Sequence, residues 1–141
     1  MRPSILLSLL LSLNLVFSQP KKLKVYISVD MEGIAGVVSD DQLGPGSFEY
    51  ERFRQFMTKE ALAAVNAAKE AGASEILVSD SHGNGENLLI DQFPKDVRII
   101  RSWPRRLGMM AGIDDSFDAA ATESACIEVL VAAAAREFAE A

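Results

Sequence analysis

The sequence predicts an α/β domain built on a parallel sheet, and three observations carry that prediction. First, Leu23 to Val29 is a short run dominated by β-branched and aromatic residues. Second, Phe48 to Ala71 places apolar residues at spacings of three and four, the stripe of an amphipathic helix. Third, Ser74 to Asp80 returns to a strand-like composition. Strand, long helix, strand is a βαβ unit, which makes the two strands parallel neighbours joined by a right-handed crossover.

The elements follow in chain order. Residues 1–18, "MRPSILLSLLLSLNLVFS", begin with one positive charge at Arg2 and continue in an apolar run, Ile5 to Phe17. That run is shorter than the ~20 residues needed to span a bilayer. It closes on Val16-Phe17-Ser18, with small residues where a signal peptidase reads. Residues 1–18 are therefore expected to be a cleavable signal peptide, with Gln19 the new N-terminus and no stable membrane anchor left behind. The expected destination is a periplasm, a secretory lumen or the medium. Residues 19–141 form one domain by length, with a modest core. Within it, "LGPGS" at Leu43 to Ser47 reads as a loop, and Gly72 stops the helix. "LLIDQF" reads as a short helix ended by Pro94, "DVRIIRSW" at Asp96 to Trp103 as a third strand, and "RRLGMMAGI" as helical or irregular. After Phe117 the chain turns Ala- and Glu-rich and predicts a C-terminal helix, with Ile127, Leu130, Val131 and Ala134 on one face. The expected architecture is a parallel-sheet βαβ domain with helices on its faces.

Charge and cysteine content exclude some classes. The chain has 20 acidic against 14 basic residues, a formal net charge of −6 that becomes one unit more negative when Arg2 is removed. Nonspecific nucleic-acid binding depends on basic charge to neutralise phosphates, so no nucleic-acid partner is expected. Cys126 is the only cysteine, and no intrachain disulfide can form despite the expected export.

In open parallel sheets, ligands gather beyond the C-terminal ends of the strands. "SVDMEGIAG" ends the first strand with Asp30 and Glu32, and "SDSHGNG" ends the second with Asp80 and His82. If the extended backbone lasts through Met31, Asp30 and Glu32 point the same way. Two such carboxylates repel unless a cation or a shared proton sits between them. Adjacent strands lie about 5 Å apart, so side chains from neighbouring tips can meet at one ion. Two carboxylates and one imidazole suit zinc or a similar transition metal, whereas an all-oxygen set would suit magnesium. Asp30, Glu32 and His82 are the candidate ligands. The blander alternatives are a solvated, capping turn at Asp30 and a surface or N-cap histidine at His82.

These motifs resemble the zinc-dependent D-aminopeptidase family of the dipeptide-operon type. The likeness is carried by "YISVDMEGIAG", by "YERFRQFMTKEALAAVNAAKEAGASEILVSDSHGNGENLLIDQFP" and by "GMMAGIDDSFDA", and it runs from about Lys24 to Asp118. The resemblance implies an α/β fold, two zinc ions per subunit, ring-shaped homo-oligomers, and removal of N-terminal D-amino acids from short peptides. By position it makes Asp30 the metal-bridging aspartate, Glu32 the glutamate beside it and His82 the first histidine ligand. It gives Asp80 and Asn84 no ligand role. The family also uses a second ligand histidine, a ligand glutamate and a catalytic histidine from chain beyond "GIDDSFDA". This sequence continues there as "AATESACIEVLVAAAAREFAEA", and His82 is its only histidine. At most a partial metal site is therefore expected, in a chain about half the family's length, as in a truncated or rearranged gene or a misread frame.

Three functions compete on this reading. The first is metal-assisted peptide hydrolysis, with an incomplete site and activity in question. The second is a haloacid dehalogenase-like phosphatase, because Asp30-x-Glu32-Gly33 is near Asp-x-Asp-Gly; Ser79 or Ser81 with Asp114 and Asp115 would complete that site, and His82 would have no task. The third is a non-catalytic metal-binding or assembly fragment, whose exposed sheet edge would favour association.

Overall fold

The computed structural model describes residues 22–122. The expected signal peptide and the part of the expected Ala-rich helix beyond Thr122 lie outside the described residues. Four strands, β1 (Leu23–Val29), β2 (Ala73–Asp80), β3 (Arg98–Ile100) and β4 (Ala119–Thr122), form one parallel sheet in the order β3-β2-β1-β4. One long helix, α1 (Tyr50–Glu70), joins β1 to β2. Among the described residues no helix is long and apolar enough to cross a membrane.

The apolar stripe of α1 decides how it packs. Phe53, Met57, Ala61, Ala64, Val65 and Ala68 are buried in one cluster with Val25, Ile27 and Val29 of β1 and Ile76 and Val78 of β2. Alternate residues of each strand thus face the helix, as period-two side chains must. Burying a Val, Met or Phe side chain stabilises by roughly 1.5–3 kcal/mol. Gly72 follows the helix with φ +91°, a left-handed conformation that glycine adopts without a Cβ penalty.

The strand order accounts for the second face. The chain steps from β1 to β2 with α1 on one side, continues outward to β3, then reverses to place β4 on the far edge of β1. A right-handed connection in the reverse direction must cross the opposite face. Residues 101–118 make that crossing in irregular backbone with a single 3-10 turn, Gly108–Met110. They are anchored by a hydroxyl cluster. The Tyr26 hydroxyl lies 2.9 Å from the Met109 carbonyl, with Ser28, Ser79 and Ser81 hydroxyls 3.2, 3.1 and 3.0 Å from the same oxygen. Phe117 meets the Tyr26 ring edge-on, centroids 5.6 Å apart. At Gly112 (φ +87°) a Cβ would run into Ile100 and lie 3.0 Å from Leu77 Cδ2, so only glycine lets the segment lie against the sheet.

Several expectations need adjustment. The apolar stripe expected over Phe48 to Ala71 is not buried evenly: Phe56 and Leu62 are only partly buried, and the buried face is centred on Met57, Ala61 and Val65. The third strand is limited to Arg98–Ile100, because the chain turns at Ser102 (φ +66°) and Pro104, whose peptide bond to Trp103 is cis. "LLIDQF" contains only a 3-10 turn, Ile90–Gln92. The start of the Ala-rich stretch is a strand and not a helix. Ala119, Ala120, Ala121 and Thr122 pair with Val25, Tyr26, Ile27 and Ser28. Alanine favours helices in isolation, but ladder pairing against the buried β1 overrides that preference.

Candidate metal centre

The register of β1 and β2 brings the two strand tips level, with Val29 opposite Asp80. The Ser81 N–H continues the ladder by donating to the Val29 carbonyl (2.8 Å). The tip of β1 is not the extended strand that alternation required. Asp30 is extended (φ −129°, ψ 133°), but Met31–Gly33 forms a 3-10 turn. Met31 is fully buried and pins that turn to the core, and Glu32 on the same turn reaches His82. The two carboxylates therefore converge through a turn, not through a shared strand face.

His82 sits where they meet. Its Nδ1 lies 3.2 Å from Asp30 Oδ1 and 2.7 Å from Glu32 Oε2, while Nε2 lies 2.6 Å from the Leu43 carbonyl oxygen. One donor atom from each of Asp30, Glu32 and His82 lies within 4.8 Å of the others. The burial is graded: the His82 side chain is 8% exposed, Asp30 33% and Glu32 56%. The set thus opens to solvent on the Glu32 side.

The Leu43 carbonyl fixes the tautomer. A carbonyl only accepts, so Nε2 carries a proton and donates to it. In the neutral imidazole the free lone pair is then on Nδ1, facing both carboxylates. This is the usual division of labour in a metal-binding histidine, one nitrogen oriented by a carbonyl and the other left to ligate. Both carboxylates also favour the protonated ring, since an imidazolium would donate from Nδ1 to them. The hydrogen bond with Asp30 is the main cause, and the Leu43 and Glu32 contacts add to it. Against the opposing effect of burial they push the His82 pKa up to about 9. For Asp30, burial acts upward, but hydrogen bonds involving His82 and the Met31 N–H hold its carboxyl below the ordinary value.

The second strand tip divides differently from its reading in sequence. Asp80 is fully buried and does not face the cluster: it accepts from the Asn87 N–H (2.6 Å), the Leu88 N–H (2.8 Å) and the Asn87 side-chain amide (2.8 Å). Asn84 accepts from the Glu86 N–H at an exposed turn. Ser79 and Ser81 belong to the hydroxyl cluster on the opposite face of the sheet. Asp114 lies beside Lys24, Leu77 and Arg98 toward the starts of the strands, in a cavity of about 510 Å³. The groups that a dehalogenase-like phosphatase would need are thus kept apart. Two contributors were missed in sequence. The Leu43 carbonyl is invisible to side-chain patterning, and Asn87 could have been found only by asking what satisfies a buried Asp80.

Fold and donor set together define a class: a parallel α/β domain with a metal-type cluster of two carboxylates and one imidazole at its strand tips. The signature of the peptidase M55 family, D-aminopeptidase, matches residues 23–122. A D-aminopeptidase of Bacillus subtilis (strain 168) is 38% identical over 95 residues, which are 67% of this chain and 35% of that protein. The solved structure of the Zn-dependent D-aminopeptidase DppA from Bacillus subtilis, described as a self-compartmentalizing protease, superposes with a TM-score of 0.69. It is 37% identical and the match covers 71% of this chain and 36% of that one. The chain belongs to the D-aminopeptidase family. It spans about a third of the length of the relatives it matches.

Proposed function

We propose that this chain carries the zinc-binding part of a metal-dependent aminopeptidase whose family reaction is the hydrolysis of N-terminal D-amino acids from short peptides. The single observation that carries the reading is the convergence of Asp30, Glu32 and His82 Nδ1 within 4.8 Å at the C-terminal end of a parallel sheet. Three protein ligands and an open side fit a zinc ion of the catalytic kind. Asp30, Glu32 and His82 would hold the zinc ion, which would supply Lewis-acid polarisation of a peptide carbonyl. The residues divide the remaining work: the Leu43 carbonyl holds the imidazole by its Nε2 proton, buried Met31 fixes the turn that presents Glu32, and the solvent-open side admits a peptide terminus.

Among the described residues no further histidine, cysteine or acidic group joins the cluster, so a second ion lacks ligands there. No second histidine exists to move a proton, and general acid–base help is worth about 10²–10⁴-fold in rate. The chain alone therefore binds one zinc ion and hydrolyses D-alanyl dipeptides weakly or not at all. Zinc titration and D-Ala-D-Ala cleavage, each with His82→Ala as control, test this. Failure to bind zinc overturns the site; robust turnover lost in His82→Ala overturns the weak-activity part.

The proposal extends to a homo-oligomeric working form, supported by the self-compartmentalizing relative, and to export, supported by Arg2, the short apolar run and the small residues near Ser18. Light scattering and N-terminal sequencing of secreted protein, expected to begin at Gln19, check them.

A further inference from the structure

Asn87 lies outside the cluster and reaches no ligand side chain, yet each of its polar groups is hydrogen-bonded, and together they link the turn that carries His82 to β2 and α1. Its Nδ2 amide donates one proton to Asp80 Oδ1 (2.8 Å) and the other to the His82 carbonyl (2.6 Å). Its Oδ1 accepts from the Tyr50 hydroxyl (2.6 Å), its backbone N–H donates to Asp80 Oδ2 (2.6 Å), and its carbonyl accepts from Arg54 Nε (2.8 Å). Asn87 is 1% exposed and Asp80 0%.

We propose that Asn87, backed by Asp80 and Tyr50, is a positioning residue that sets where the His82 imidazole stands for metal binding. This rests on the zinc-site reading and deepens it. The His82 main chain is held at its carbonyl by two donors, the Asn87 amide and the Gly85 N–H (2.8 Å). Only the amide ties that carbonyl to the sheet and the helix, through Asp80 at the tip of β2 and Tyr50 at the first turn of α1. The Gly85 N–H bond stays within the turn, and the Gly85 carbonyl accepts from the Ser102 N–H (2.8 Å) of the 101–118 segment, which is neither the sheet nor α1. The position uses two donors toward Asp80 and His82 and an acceptor toward Tyr50, in a buried pocket, which is the inventory of a primary amide. Without the amide, the His82 carbonyl loses its tie to β2 and α1, and the ring, still bonded to the Leu43 carbonyl, is held less closely at 2.7–3.2 Å from both carboxylates.

The experiment uses the full chain, zinc alone as the affinity probe by competition with a chromophoric chelator, and cobalt(II) alone as the spectroscopic probe. Loss of an outer partner of a ligand typically weakens metal affinity 10–100-fold. Asn87→Ala is expected to fall in that range and to shift the cobalt visible bands, which report ligand geometry. Val65→Ala, in the core away from the turn, is the stability-matched control and is expected to bind zinc as the parent does. Should Asn87→Ala fail to fold, Tyr50→Phe decides, because it removes only the hydroxyl that anchors the amide. A loss of about fivefold, the worth of one ordinary hydrogen bond, supports the role, and unchanged affinity with unchanged bands overturns it. His82→Ala separates the two levels. Zinc binding that survives in His82→Ala overturns the site and the positioning role together. Binding lost in His82→Ala but intact in the folded Asn87→Ala overturns the positioning role alone.

Discussion

Raising the pH of the metal-free chain from 6 to 9 is expected to remove stability that one imidazolium supplies. The folded chain holds His82 protonated up to about pH 9, against an ordinary value of 6.5. Below 6.5 both folded and unfolded chains carry the proton, and the contribution is fully present. Between 6.5 and 9 the folded state keeps a proton that the unfolded state has lost, so stability falls as pH rises. Each pKa unit corresponds to 1.36 kcal/mol, which sets an upper limit of roughly 3 kcal/mol over the whole shift. Glu32 is 56% exposed and Asp30 33%, so water screens part of the attraction, and about 1–2 kcal/mol is the expected loss. Burial raises Tyr26 and Tyr50 above their ordinary value, so neither loses its proton in this window. The assay is urea denaturation of chelator-treated protein at half-unit pH steps, beside His82→Gln, which fills similar space but takes no proton. The difference between the two proteins should shrink steadily from pH 6.5 to 9. A difference that stays constant, or grows with pH, would refute the placement of the imidazolium between the two carboxylates.

Other outcomes follow from the same geometry. Zinc must displace the His82 proton, so its affinity should rise up to about tenfold per pH unit between 7 and 9 and then level off, read by chelator competition. At the acid end Asp30 acts in the opposite sense. Its lowered folded pKa gives stability present above 3.8 and lost as pH falls through the lower folded value, visible as steeper acid unfolding than in Asp30→Asn. Val65→Ala, at a fully buried position facing the sheet, should cost about 1–3 kcal/mol in denaturant titration, and Leu62→Ala, at a partly buried position, should fall at or below the low end of the roughly 2–5 kcal/mol of a fully buried leucine. Gly85→Ala should be both destabilised, by about 2 kcal/mol or more, and weaker in zinc binding. Its Cβ would lie 2.8 Å from the Ser102 backbone nitrogen, and φ there is +71°. A fully stable Gly85→Ala with normal zinc affinity would show that the 80–87 turn relaxes freely.

What the sequence determined by itself was what short-range physics controls. The apolar periods of Leu23 to Val29, Phe48 to Ala71 and Ser74 to Asp80 specify strand, helix and strand, because side-chain periodicity of two or 3.6 follows from local geometry alone. The order βαβ then makes the strands parallel, and the identity of Asp30, Glu32 and His82 selects a metal of the zinc type. Tertiary structure alone decided the rest. Ala119–Thr122 reads as helix, yet it becomes a strand because the open edge of β1 offers four residues of ladder pairing that no local propensity records. Asp30 and Glu32 meet through a turn nailed down by buried Met31, where strand alternation had supplied the right answer for a different reason. Asp80 ends the same strand as His82 two residues earlier and was given no ligand role; what the sequence could not show is that three N–H donors, from Asn87 and Leu88, hold it in the core. The carbonyl of Leu43 and the amide of Asn87, distant in sequence from the carboxylates, orient His82 through hydrogen bonds that exist only once α1, the loops and both strand tips are assembled.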